Sequence, residues 1–301
     1  MSLSLKQLRD LMADEIGDDD PQETANYTKY LNLAASEAFY FATWESRKDF
    51  DFVETKAPYA TGTVTLTNGS DDVVGVSSVW TTAAHGAPSK IALGYSRPPY
   101  EIRTVTDNTN IILEENYAGS TVATQAYVLY RDAYRLDPRV KTLSRVRIFD
   151  TDRTWDVPVV TGNRTGDTGE YPMSAGRPLW AVLERVTDGE PVIRLGPYAP
   201  DAAYRLKYEY FRRYESMKED GDTHGLGDDF DGLILDGALA RAYRRDHFTR
   251  ARSLRADFLS ELRRKRGEPG LVSPAIFQIA ERGPVERSIG DWPFNVGDLE
   301  I

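Results

Sequence analysis

Apolar residues change their spacing twice along the chain, and each change marks a change of element. Over residues 3–16, Leu5, Leu8, Leu11, Met12 and Ile16 recur at helical intervals and predict a short amphipathic helix. Asp20-Pro21 then reads as a helix start, with Asp as cap and Pro at the first helical position. Tyr27, Tyr30, Leu31, Ala34, Ala38, Phe41 and Trp44 fall largely on one stripe of a second helix over 21–47, and the aromatic members are read as core.

From Phe50 to about Tyr134 the period drops to two. Strands are expected at 50–55, 62–68, 72–80, 89–95, 99–106, 110–115 and 124–131, separated by "NGS", "HGAPS", "SRPP", "TDNTN" and "YAGS". In "TVTLTNGSDDVVGVSSVW", Val64 and Leu66 share one side, Asn68-Gly69 supplies positive-φ turn positions, and Val74, Val76 and Trp80 resume the alternation. Short strands at this spacing indicate a small antiparallel barrel or sandwich. Residues 139–212 continue in mixed β style around a polar loop at 161–172, expected to be exposed.

After "KEDGDTHGLGDD" the helical period returns. Asp228 is expected to cap a helix bearing Phe230, Leu233, Ile234, Leu239, Ala242 and Tyr243, and a break near Asp246-His247 leads to a helix over about 248–267. There Ala251, Leu254, Phe258 and Leu262 face one way and arginines the other. From Gly267 onward, glycines and prolines interrupt any regular element, yet Ile276, Phe277, Ile279, Trp292, Phe294 and Ile301 are too apolar for a solvated tail. An extended arm lying on its own body or on a neighbour is the natural reading.

Composition narrows the function. Over 301 residues, 41% hydrophobic and 11% aromatic content suffices for packed cores. The absence of cysteine removes disulfides, thiol nucleophiles and cysteine zinc sites. No apolar run reaches a membrane span, and the acidic, amphipathic start is unlike a signal peptide, so a protein folding in a cytoplasm, without a membrane, is expected. The net charge of −10 argues against a chain that coats nucleic acid. Its placement is uneven: residues 241–266 hold ten basic against three acidic side chains, a local +7, and seven acids lie between Asp10 and Glu23.

The three histidines are far apart, and HExxH, GxSxG, GxxxxGK[ST] and GxGxxG are all missing, so no enzyme, cofactor or metal is expected. The loop from Asp220 to Asp231 nearly has calcium-loop spacing, with Asp220, Asp222, Asp228 and Asp231 as oxygens and Gly225 at the turn. His224 stands where an oxygen belongs and Asp replaces the long bidentate Glu, so a polar loop ending in a helix cap is the favoured reading. The arginine-rich helix is a solvated face, an interface with an acidic neighbour, or, least favoured because no aromatics interleave, a DNA contact.

The order of parts carries a resemblance. Gly62, Val64, Gly69, Ser70, Trp80, Tyr100, Ile102, Val105, Ile111, Leu113, Tyr117 and Gly119 lie in a pattern similar to a β-domain of tailed-phage neck proteins. "YRLKYEYFRRYESM", the acidic loop, "GALARAYR" and "RARSLRADFLSELRRKR" resemble the distal helices of tailed-bacteriophage head-to-tail adaptor (connector) proteins. The resemblance implies a neck-ring subunit, typically twelve copies, docked below the portal protein and joined to a downstream tail or nozzle protein. It would be made in the bacterial host cytoplasm and carried in the virion, with genomic DNA passing through the lumen without sequence-specific binding.

On that reading the fold is α+β. Residues 1–49 and 213–268 form a discontinuous helical bundle, 50–212 an inserted antiparallel β barrel or sandwich, and 269–301 an extended C-terminal arm. Phe277, Trp292, Phe294 and Ile301 are the candidate portal or neighbour contacts, and Arg241, Arg244, Arg245, Arg252 and Arg255 the candidate subunit-interface charges, facing the acidic 10–23 segment. The rival reading is a β-domain binding module for glycan or capsid surface, with "SRPPY" and "TGNRTGDTGEY" as its loops.

Overall fold

The computed structural model describes residues 2–17, 21–83, 89–93, 99–150, 153–160, 175–185, 189–197, 199–244 and 247–268. The fold is α+β, with mostly antiparallel sheets. Among the described residues no helix is long and apolar enough to cross a membrane.

Helix α1 (Leu5–Ile16) begins at a capping box, in which the Ser4 hydroxyl accepts from the Gln7 amide and the Gln7 side chain accepts from the Ser4 amide, and it stops at Gly17. Helix α2 (Pro21–Phe41) is shorter than its apolar stripe suggests, because two side chains fold back onto its last carbonyls. The Trp44 indole donates to Ala38 O at 2.7 Å, and the Arg47 guanidinium to Phe39 O and Ala42 O at 2.8 and 2.9 Å. Ala38 and Phe39 lie in the last turn of the helix, where carbonyls lack a following turn to pair with, and Ala42 comes just after it, so the chain can leave there and start a strand at Lys48.

Helices α4 (Asp231–Ala242) and α5 (Phe248–Arg266) come from the far end of the chain. They share one core with α1 and α2: Leu5, Leu8, Met12, Leu31, Ala34, Ala38, Ile234, Phe258 and Leu262 are all buried in it. The stripes read from the sequence face this core, with Ile16, Tyr30, Phe41, Ala242 and Leu254 only partly covered; Leu11 is the exception, on the solvent side of α1 at 42% exposure. Gly237 lets three helices approach: a Cβ there would lie 2.7 Å from the Phe258 ring and 3.1 Å from Ala34 Cβ. Asp228 does not cap α4; it opens a single 3-10 turn, Asp228–Phe230, and the Asp231 carboxylate is turned elsewhere.

The β region has two cores rather than one barrel or sandwich. Strands β2 (Thr63–Leu66), β3 (Asp72–Val76), β4 (Ser89–Ala92), β5 (Tyr100–Val105), β6 (Asn110–Leu113), β7 (Val122–Gln125) and β8 (Val128–Tyr130), in the order β7-β2-β3-β6-β5-β4-β8, form a seven-stranded antiparallel sheet curled into a half-barrel. A short helix α3 (Trp80–Ala83) follows β3 (Asp72–Val76). Here the phase differs from the sequence reading: Val64 and Leu66 point inward, but on β3 the inward residues are Val73 and Gly75, while Val74 and Val76 are exposed. The register sets this, since Val64 faces Gly75 and Leu66 faces Val73. A Cβ on Gly75 would lie 2.6 Å from the Trp80 ring, so the buried indole occupies the space of the missing side chain. Positive φ in the turn is confined to Gly69.

The second β core lies between two four-stranded sheets. One has the order β1-β17-β10-β11, from β1 (Lys48–Glu54), β17 (Arg205–Arg212), β10 (Val140–Phe149) and β11 (Thr154–Val157). The other has the order β12-β14-β15-β9, from β12 (Val159–Val160), β14 (Trp180–Arg185), β15 (Pro191–Gly196) and β9 (Ala133–Arg135). Val146, Ile148, Leu206, Tyr208 and Tyr210 of the first meet Tyr134, Ala181, Ile193 and Leu195 of the second. Asp132 ties this unit to the half-barrel: its buried carboxylate accepts from Lys90 of β4 (Ser89–Ala92) and from Arg194 of β15, each at 2.8 Å.

Strand β1 leaves the helical core and β17 returns to it, antiparallel and adjacent, with Lys48 opposite Phe211. Arg47 sits at this junction, 5% exposed, and adds a third bond to Arg212 O at 3.2 Å. Its charged group lies 4.5 Å from the centre of the Phe39 ring. Arg47→Met keeps the bulk but orphans three carbonyls at about 1–3 kcal/mol each. Urea unfolding should show a loss of at least about 3 kcal/mol; a loss below about 1 kcal/mol would show that water satisfies the junction equally well.

Candidate assembly surfaces and the polar cluster before α4

The arginines of α4 and α5 divide by what they touch. Arg241 and Arg255 both grip Glu37 of α2; the Arg255 Nη1 to Glu37 Oε2 distance is 2.7 Å, and Arg241 also donates to Gly237 O. Burial works to raise the Glu37 carboxyl, and the Arg255 and Arg241 guanidiniums outweigh it, so the group sits below the usual glutamate range. Arg250 pairs with Glu15 at the end of α1 and lies over the Tyr243 ring, whose hydroxyl donates to Glu15 O at 3.0 Å. Acidic N-terminal and basic C-terminal segments therefore meet within one chain at this point.

Arg244 and Arg252 are different. Both are exposed, and neither is ion-paired among the described residues. Phe248, at the first position of α5 and 68% exposed, is one helical turn before Arg252 and so shares its face. The periodicity that placed Ala251, Leu254, Phe258 and Leu262 in the core left Phe248 out, which is the signal that could have marked it as surface. Arg245 lies outside the described residues, as do Phe277, Trp292, Phe294, Ile301, the whole arm 269–301 and most of the loops "SRPPY" and "TGNRTGDTGEY".

The polar loop before α4 is built as a clamp on the start of the chain. The Asp222 and Asp220 carbonyls accept from the Leu5 and Lys6 amides at 2.7 and 3.1 Å, two of the donors that α1 leaves unpaired. The Asp220 carboxylate pairs with Arg9, and the Asp222 carboxylate accepts from the Lys218 and Glu219 amides, which hold it below the usual range. Asp231 accepts from Leu3 N at 2.9 Å, from the Ser2 hydroxyl at 2.9 Å and from His224 at 2.6 Å. These carboxylates point to separate partners, and among the described residues no group of three or more His, Asp or Glu is placed to hold a metal.

Ser2, His224 and Asp231 have the composition of a hydrolytic triad without its order. His224 Nδ1 accepts from the Leu226 amide at 3.2 Å, so Nε2 carries the proton and donates it to Asp231. The Ser2 hydroxyl faces this same nitrogen, at 3.0 Å, which is already protonated and cannot take its proton. The cluster holds the N-terminal segment against α4. The spacing of Ser2 and Asp231 in the sequence, 229 residues, gave no sign of it.

No protein-family model matches this chain, and no curated protein matches it.

Two measurements check these assignments. Glu37→Gln should cost about 1–2 kcal/mol at neutral pH, because two guanidiniums lose their carboxylate; the wild type should approach the variant as pH falls through the lowered Glu37 pKa. Burial pulls the His224 pKa below 6.5, with Asp231 partly opposing it. The unfolded chain therefore binds the proton more readily, and stability should fall as pH drops from 6.5 towards the folded-state pKa. Urea midpoints for wild type and His224→Gln at pH 7.5 and 5.5 should differ less with pH in the variant; equal pH dependence would remove His224 from the clamp.

Proposed function

We propose that this chain is a structural subunit of a tailed-phage neck, a head-to-tail adaptor that closes into a ring below the portal and connects it to the tail. The observation that carries the reading is the layout: helices from both ends of the chain share one core, and the β region departs and returns on the adjacent strands β1 and β17. In this reading residues 1–49 and 213–268 are the ring-forming helical bundle, and 50–212 projects from it as an insertion. The arm 269–301, with Phe277, Trp292, Phe294 and Ile301, reaches the portal or the neighbouring subunit.

Ring closure needs a heterologous interface, two different patches that meet in every copy. Phe248 and Arg252, one turn apart on α5, supply one patch, an exposed aromatic beside a cation with no ion pair among the described residues, and Arg244, likewise exposed and without an ion pair, lies just after α4. Exposed aromatics and arginines are the side chains that most often anchor such contacts. Arg241 and Arg255, held by Glu37, shape the bundle behind it. The partners are other copies of the chain, the portal protein and a downstream tail or nozzle protein; DNA passes through the ring without sequence-specific binding. The work is assembly rather than catalysis.

A tagged chain should be captured from a lysate of its source and the eluate imaged by negative-stain electron microscopy. Rings attached to a portal-like particle are the expected result, and rotational averaging gives the subunit count. Phe248→Ser with Arg252→Glu should leave the unfolding midpoint within about 0.5 kcal/mol, as surface changes do, while abolishing the rings. Rings that survive this double change would remove the patch from the interface, and a glycan-bound particle without portal would replace the neck reading by a binding module.

A further inference from the structure

The outer face of the sheet β1-β17-β10-β11 carries an aromatic and basic surface that the neck reading does not use. Directly opposed residues of an antiparallel pair lie on the same face, so the pairings Phe50 with Glu209, Phe52 with Lys207 and Glu54 with Arg205 put all six outside. Arg145 and Arg147 extend the face across β10, opposite Glu209 and Lys207. Phe50 and Phe52 meet edge to face at 5.9 Å and are 55% and 37% exposed. Lys207 Nζ lies 4.3 Å from the centre of the Phe50 ring, and Arg205 lies 4.1 Å from that of Phe52.

Charge on this face is biased against that of the molecule. Lys48, Arg145, Arg147, Arg205 and Lys207 stand against Glu54, Asp156 and Glu209, a surplus of two cations on a chain of net −10. Asp156 is shared by Arg145 and Arg147, and Glu209 by Lys48 and Lys207. Arg205 has no carboxylate partner among the described residues.

The edge of β1 is closed while its face is open. β1 is the terminal strand of its sheet, and two of its outward amides, those of Phe50 and Phe52 in its middle, are taken by the Asp49 and Asp51 carboxylates at 2.9 and 2.7 Å. An added strand would have to displace both acids, a common device against edge pairing. A ligand for this surface therefore lies over the rings.

We propose that residues 290–301 of the same chain, "GDWPFNVGDLEI", dock on this face. The segment carries Trp292 and Phe294 two residues apart, the spacing of Phe50 and Phe52, and an aromatic pair of this kind contributes about 0.5–1.5 kcal/mol beyond burial. Its charges are Asp291, Asp298 and Glu300, with no Lys or Arg after Arg287, which complements the surplus cations. The chain between the end of α5 and Trp292 spans about 80 Å when extended, so reach is no obstacle. Tethering holds the segment at about millimolar effective concentration, which favours docking in the same molecule over capture from another. The inference concerns the free, unassembled chain; in the neck reading the same arm leaves this face to reach the portal or a neighbouring subunit, so the two share Trp292 and Phe294 but not the state in which they act.

The test uses the full chain with Phe52→p-benzoylphenylalanine, irradiated at high dilution and digested with trypsin. Cross-links from position 52 to the peptide 288–301 are expected, and Trp292→Ser with Phe294→Ser should lower their yield about tenfold or more, as loss of two anchors does. An equal mixture of nitrogen-15-labelled and unlabelled protein should give cross-linked pairs of one isotope only. Cross-links to other segments, none at all, or mixed-isotope pairs would overturn docking within the molecule. Circular dichroism of the labelled chain confirms that the exposed substitution leaves the fold intact.

Discussion

A single buried guanidinium governs how the two halves of this molecule are joined. Arg47 stands where α2 ends, β1 begins and β17 returns, and it donates to a carbonyl from each side of the junction. The last carbonyls of a helix carry its negative pole and lack partners; a cation held there both satisfies them and terminates the helix. Burial pulls the Arg47 pKa down, but an arginine stays charged far above neutral pH. Phe39, Tyr40 and Phe211 enclose the group, so the direction in which the β region leaves the helical core is set by the two terminal nitrogens of one guanidinium, while its buried Nε makes no hydrogen bond among the described residues.

Asp132 has the corresponding place between the two β cores. Its carboxylate is shared by Lys90 and Arg194, and Arg194 also binds Glu184. Burial opposes the charge on Arg194, and the two carboxylates outweigh it. Removing ions from water costs several kcal/mol each, and the mutual attraction in a low dielectric recovers it only with good geometry. Such a network adds little net stability, but it penalises any other arrangement of the two sheets.

Much of the charge along the helical core is neutralised within the chain. Along the helical core most cations near the acidic N-terminal segment are already satisfied within the chain: Arg250 by Glu15, Arg9 by Asp220, Arg241 and Arg255 by Glu37. Among the exposed residues left over are Arg244, Arg252 and Phe248, Arg263 and Arg266 further along α5, and the Phe50 and Phe52 face on the other side of the Arg47 junction.

The sequence by itself determined the helices and their buried faces. Leu5, Leu8, Leu31, Ala34, Ile234, Phe258 and Leu262 lie in the core because a period near 3.6 persists over many residues and points one way. It also determined the α+β class and most strand positions. Tertiary structure decided the phase of β3: with a period of two, Val73 and Val74 are equally good inward residues until Gly75 is set opposite Val64 and beneath Trp80. Glu37 meets Arg241 and Arg255 across 204 and 218 residues, and Ser2 meets Asp231 across 229. No local pattern encodes such partners, because their choice depends on which surfaces the packed helices bring together.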